Sequence, residues 1–189
     1  FKKLQHTITG WPGSKPNADD TNRPKRKQKK KKRVIIFSPH PDDDVISMGG
    51  TFDRLVEQGH EVHVAYQTSG NIAVSDKEAM KFAEVGLDIN PGANHFLKII
   101  HDLKVKKEFD MDTIEVRNLK GLIRRKESLA ATRYLGVPDK NVHFLDLPFY
   151  ETGRIKKNKL GAEDIRIMDE LLKEINPHQI YAAGDLADP

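Results

Sequence analysis

From residue 34 onward the chain alternates two hydrophobic patterns. Short apolar runs rich in β-branched residues read as strands: VIIFS at 34–38, EVHVAYQT at 61–68, NVHFLDL at 141–147 and QIYAAGD at 179–185. Between them apolar positions recur at helical spacing. Val45, Met48, Phe52, Leu55 and Val56 share one face of a first helix, closed by Gly59. Ser75, with Glu78 three residues on, forms a capping box that opens a second helix ending near the NPG at 90–92. A long helix is predicted over residues 112–135, with Leu119, Leu122, Ile123 and Leu129 among its apolar positions and GVP as its stop. A last helix carries Ile165, Met168, Leu171, Leu172 and Ile175. Strands separated by helical crossovers imply an α/β fold, a Rossmann-like parallel sheet with helices on both faces.

The first 33 residues do not share this pattern. TGWPGSKPNADDTNRPKRKQKKKKR is rich in Pro, Gly, Asn and charge and offers little to bury. It reads as the tail of a preceding domain followed by a basic linker, with the folded domain at 34–189. The chain starts at Phe1 and stops in GDLADP, which reads as a piece of a longer protein.

Charge changes the picture in one respect. The net charge is +4, yet eight of the nine residues 25–33 are Lys or Arg; without them 24 basic residues face 28 acidic ones. The basic character is one segment rather than a folded face. Nucleic-acid binding through it is the lesser reading, because no aromatics are interleaved for stacking. No apolar run approaches the ~20 residues that span a bilayer. The chain has no cysteine, which excludes disulfides and thiolate metal sites and fits a cytoplasmic setting.

The densest chemistry is SPHPDDD at 38–44, straight after the first strand. In parallel α/β sheets, sites form where loops leave the carboxyl ends of the strands. Pro41 disfavours helical geometry at His40 and suits the first helical position itself. Asp42, Asp43 and Asp44 then fall in the first turn, where the helix dipole favours negative charge. An acidic first turn needs no metal to explain it. Imidazole and carboxylate are also the donors zinc takes when thiolates are absent, with manganese, iron or cobalt as alternatives. His40 and Asp43 can grip one ion, and a neighbouring carboxylate can serve as general base.

The motif resembles the (A/S)HPDDE signature of the PIG-L/LmbE-like zinc de-N-acetylases. VAYQTSGN at 64–71 resembles that family's second-strand ending, RRKESLAATRYLGV at 124–137 its Arg-x-x-Glu helix, and VHFLDLP at 142–148 its next strand. The resemblance implies that His40 and Asp43 are zinc ligands and Asp42 the general base and later acid. It implies that Arg124 helps hold an amino-sugar substrate, with Thr68, Gly70 and Asn71 beside the site. The reaction implied is hydrolysis of an N-acetyl group. The segment before the domain resembles a fusion to a glucosamine-6-phosphate deaminase-like domain, which would make that domain a partner in the same polypeptide.

The match departs from the family at three places. Asp44 stands where the family has Glu, and Phe149 or Tyr150 where it has Asp, with Glu151 a candidate substitute. The family's third zinc ligand lies in an H-x-x-H segment expected beyond Pro189, so weak zinc binding and low activity are expected of this piece alone. His60, His63, His143 and His178 sit at the wrong ends of strands to replace it, while His95 and His101 fall in or near a loop. A substrate phosphate could meet Arg124, Arg125 or Lys126. The competing expectation is a catalytically lapsed sugar-binding or regulatory domain attached to a deaminase.

Overall fold

A computed structural model describes residues 31–152 and 156–182. Four strands, β1 (Arg33–Ser38), β2 (Glu61–Tyr66), β3 (Val142–Phe144) and β4 (Gln179–Ala182), form one parallel sheet in the order β3-β2-β1-β4. Helix α1 (Asp43–Glu57) joins β1 to β2. Three helices, α2 (Asp76–Ile89), α3 (Asn94–Val105) and α4 (Ile114–Tyr134), lie between β2 and β3, and α5 (Ala162–Ile175) joins β3 to β4. Among the described residues no helix is long and apolar enough to cross a membrane.

Period-two alternation along the central strands builds two cores. Val34 and Ile36 of β1 and Val62, Val64 and Tyr66 of β2 meet Phe52 and Leu55 of α1 on one face. Ile35, Phe37 and Ala65 meet Leu171 and Ile175 of α5 on the other. Both faces are therefore covered, as the uninterrupted apolar runs require. Phe52 and Leu55 are fully buried, each worth about 1.5–3 kcal/mol relative to exposure. A third cluster, with Ala79 and Ala83 of α2, Ile99 and Leu103 of α3 and Val116 of α4, packs these helices on one another.

Several expected elements shift. Helix α3 is additional to the helices that the hydrophobic pattern predicts; His95 and His101 lie on it rather than in a loop. Pro41 sits in a turn ahead of α1, and Asp42 is the N-cap with extended φ of −170°. Val45 is 41% exposed, because the helix is broken at Met48 (φ −148°) and its first turn is rotated relative to the rest. Ile165 and Leu122 also face solvent. β3 is three residues long; it ends before Asp146, which adopts the left-handed region at φ 45°. Residues 183–185 of the expected fourth strand, and the linker up to residue 30, lie outside the described residues.

Strand order places the site. After β1 the chain builds outward through β2 and β3, then returns to put β4 on the other flank of β1. The carboxyl end of β1 is thus the switch point, where diverging connections leave a crevice.

Candidate active site

The β1–α1 loop stands at that switch point, and each of its carbonyls is bonded. The Ser38 carbonyl accepts from the Gln67 amide at 2.9 Å, and the Pro39 carbonyl from Thr68 Oγ1 at 2.8 Å. The His40 carbonyl accepts from Ser38 Oγ at 2.6 Å and from the Asp42 amide at 2.8 Å. The Pro41 carbonyl takes Ser128 Oγ of α4 at 3.1 Å, and the Asp42 carbonyl takes the Ile46 amide at 2.9 Å. The loop is fixed from β2, from α4 and from within.

On this frame His40 and Asp43 come together. His40 Nδ1 lies 3.2 Å from Asp43 Oδ2, which also accepts the His40 backbone N–H at 2.9 Å. Asp43 Oδ1 makes no bond with the described residues. Both side chains keep about a third of their surface exposed, so an ion from solvent can reach them. An imidazole and a carboxylate side by side are of the donor types zinc takes. Among the described residues no third His, Asp or Glu joins them, so the pair fits as part of a ligand set. The Tyr150 ring stands edge-on to His40, centroids 5.5 Å apart.

Asp42 points to α4. Its Oδ2 accepts from Arg124 Nη2 at 2.7 Å, while Arg124 Nη1 binds Glu127 Oε2 at 2.7 Å. Burial disfavours the Arg124 charge, but Asp42 and Glu127 outweigh it and hold the guanidinium above its ordinary pKa. The one-turn spacing of Arg124 and Ser128 lets a single stripe of α4 bind both Asp42 and the Pro41 carbonyl.

Asp44 does a different job. It is buried and accepts from the Tyr66 hydroxyl at 2.9 Å, while its own amide donates to Ser38 Oγ at 3.0 Å. Burial raises its pKa, with the Tyr66 hydrogen bond opposing. Burial likewise raises the Tyr66 hydroxyl, aided by the neighbouring Asp44 charge. The shorter acid thus anchors the start of α1 to the end of β2.

The β2 loop forms the opposite wall. Thr68 is buried and spends its hydroxyl on Pro39. Gly70 adopts φ 65°, and a Cβ there would sit 2.7 Å from Pro41 Cδ. Both the backbone and the contact require glycine. Asn71 donates to Ser69 Oγ at 2.6 Å and to Glu151 Oε2 at 3.1 Å. Glu151 also accepts the Ser69 amide at 2.7 Å and the Ser69 hydroxyl at 2.9 Å. Glu151 therefore clasps the β2 loop from the segment after β3. Ser69, Ser128, Tyr66 and Tyr150 also join the site; the first three lie within VAYQTSGN and RRKESLAATRYLGV, but neither stretch by itself marks them as site residues.

This arrangement, a parallel sheet of order 3-2-1-4 with an HPDD loop at its switch point, defines a class. The chain belongs to the PIG-L family, described as GlcNAc-PI de-N-acetylase, whose model matches residues 35–188. It is 58% identical over its whole length to a glucosamine-6-phosphate deaminase-like protein of Bacteroides thetaiotaomicron, spanning 30% of that protein. It is 26% identical over 147 residues, 78% of the chain, to a protein of Bacillus cereus carrying the name N-acetyl-alpha-D-glucosaminyl L-malate deacetylase 2, spanning 49% of it. The fold is shared with N,N'-diacetylchitobiose deacetylase from Pyrococcus horikoshii, at TM-score 0.52 and 21% identity, over all of this chain and 52% of that one.

Proposed function

We propose that this chain carries the catalytic carboxylate and two metal ligands of a zinc-dependent de-N-acetylase acting on an N-acetylated amino sugar in the cytoplasm. The observation that supports it most is the approach of His40 Nδ1 to Asp43 Oδ2, 3.2 Å, at the switch point, with Asp42 fixed beside them by Arg124. Family membership supports the reaction class, and the relatives' names, one a deacetylase and one deaminase-like, support the amino sugar.

His40 and Asp43 would hold the ion, with the remaining protein ligand supplied from outside the described residues. Zinc, when bound, supplies Lewis acidity toward the acetamide carbonyl and the attacking water. Asp42 uses its free oxygen as general base: it takes one proton from the water and returns it to the departing amine as the C–N bond breaks. Acetate and the free amino sugar leave. Arg124 fixes the other Asp42 oxygen, so the accepting lone pair is aimed before substrate arrives. Thr68 and Gly70 act by holding the loop, through Pro39 and Pro41.

The test uses the full-length protein with zinc. Asp42→Asn is expected to keep its zinc and lose acetate release by about 10²–10⁴-fold; His40→Ala is expected to lose the zinc. Undiminished turnover in Asp42→Asn would overturn the assignment. A second reading, a sugar-binding domain attached to a deaminase, draws on Asp44, buried against Tyr66, and on the loop after β3, where Phe149 or Tyr150 stands in place of the Asp that the resemblance leads one to expect. Amino-sugar binding with no acetate released, zinc supplied, would select it.

A further inference from the structure

A cavity of about 530 Å³ opens between α4 and the loops after β2 and β3. Ser69, Asn71, Arg117, Asn118, Arg125 and Glu151 are among its walls. It shares those loops with the active site: Glu151 follows Tyr150, which packs on His40, and Ser69 precedes Gly70, which packs on Pro41. Its volume lies in the range of small-molecule sites.

The charges lining it are unequally matched. Arg125 is paired with Asp146 and lies over the Phe144 ring at 5.1 Å. Both Glu151 oxygens are turned to the Ser69 and Asn71 donors. Arg117 differs: none of its guanidinium nitrogens makes a hydrogen bond or ion pair with the described residues, whereas Arg124, whose Nε is likewise buried without an acceptor, binds Glu127 and Asp42 through Nη1 and Nη2. Nearby cations are treated otherwise. Lys106 and Lys120, which line a neighbouring cavity with Arg117, are matched by Asp76 and Asp112 in bonds of 2.5–3.1 Å. The described residues thus supply carboxylates to the cations around Arg117 but none to Arg117 itself. A guanidinium with no acceptor at any of its nitrogens is unfavourable where it is partly withdrawn from water and calls for a partner from outside. Its planar fork matches two oxygens of a phosphate, and Asn118 adds an amide donor on the same wall.

Building on the de-N-acetylase reading, we propose that the substrate is a phosphorylated amino sugar whose phosphate monoester binds Arg117 in this cavity. Arg117, rather than Arg124 or Arg125, is the anion-binding residue, because those two already hold Asp42 and Asp146.

Zinc-loaded full-length protein is assayed for acetate release from N-acetylglucosamine 6-phosphate and from N-acetylglucosamine. The wild type is expected to favour the phosphate ester in kcat/KM, and Arg117→Gln to lower the ratio of the two values about tenfold or more. Arg117→Lys, which keeps the charge but loses the fork, is expected to fall between. An unchanged ratio in both variants overturns the proposal. A wild-type preference for N-acetylmuramic acid over the 6-phosphate would assign a carboxylate instead and overturn it too. Should neither sugar be hydrolysed, the enzymatic reading fails and binding decides the subsite: a Kd for glucosamine 6-phosphate about tenfold weaker in Arg117→Gln sustains it, and equal values overturn it.

Discussion

Gly70→Ala would disturb the wall of the active site without touching any reacting group. Two costs combine at this position. Alanine at φ 65° is in the left-handed region, which disfavours an L-residue by about 1–2 kcal/mol. The new methyl would also lie 2.7 Å from Pro41 Cδ and 3.2 Å from Pro41 Cγ, and the proline ring cannot rotate away. Forcing a methyl into such packing costs about 1–3 kcal/mol. The sum is about 2–5 kcal/mol, partly relieved if the His40–Asp42 loop shifts. Gly59→Ala supplies the control: Gly59 has φ 76°, but no atom lies within 4 Å of the place its methyl would take, so it bears only the conformational cost of about 1–2 kcal/mol. Urea unfolding of both variants, read against wild type, isolates the contact. Acetate release by folded Gly70→Ala should also fall, since displacing a catalytic group by about 1 Å costs on the order of 10²-fold. Equal destabilisation of the two variants, with turnover intact in Gly70→Ala, would refute the claim that Gly70 sets the position of the loop.

Two further outcomes are expected. Glu151→Ala should leave the buried Ser69 amide without its acceptor, costing about 1–3 kcal/mol, and should speed hydrogen exchange at that amide; unchanged exchange would show that the clasp is dispensable. His143 stacks on His63 with Nε2 3.1 Å from His63 Nδ1; burial, then the His63 charge, lowers its pKa, with Glu174 opposing and Glu61 bound to His63. A histidine harder to protonate when folded binds more protons unfolded, so its contribution is complete above the ordinary histidine pKa and is lost as pH falls below it. Melting temperature should therefore drop from about pH 6.5 downward. The drop should be shallower in His143→Gln, with His60, also lowered by burial, sustaining the remainder; an identical slope would count against the pair.

The site is legible where chemistry is written locally and illegible where it is assembled across the chain. SPHPDDD follows a strand whose burial on both faces is plain from VIIFS, so the loop's place at the sheet edge can be read directly. Arg124 is visible through the resemblance of its helix to the family's Arg-x-x-Glu pattern, and Arg124 does bind Glu127. Helix α3 escapes the pattern because NPG ahead of it reads as loop and its N-cap, Ala93, offers no side-chain cap, although Phe96, Ile99, Ile100 and Leu103 are spaced as a helix requires. β3 is shorter than its apolar run suggests, since at the sheet edge only β2 holds it and Asp146 turns into the left-handed region, although the Leu145 and Leu147 amides still bond to the Tyr66 and Gln67 carbonyls. The clasp of Glu151 on Ser69 and Asn71 spans about eighty residues, and nothing in either segment alone announces it. Arg117 carries no motif; its interest comes from the carboxylates its neighbours received and it did not.

The fully bonded carbonyls of residues 38–42 bear on how this protein would meet a metal ion. A loop that is already in place loses little freedom on capture, so affinity reflects the exchange of water for donor atoms rather than the ordering of chain. Calorimetry of zinc uptake should then show a small heat-capacity change, unlike sites that fold around their ion.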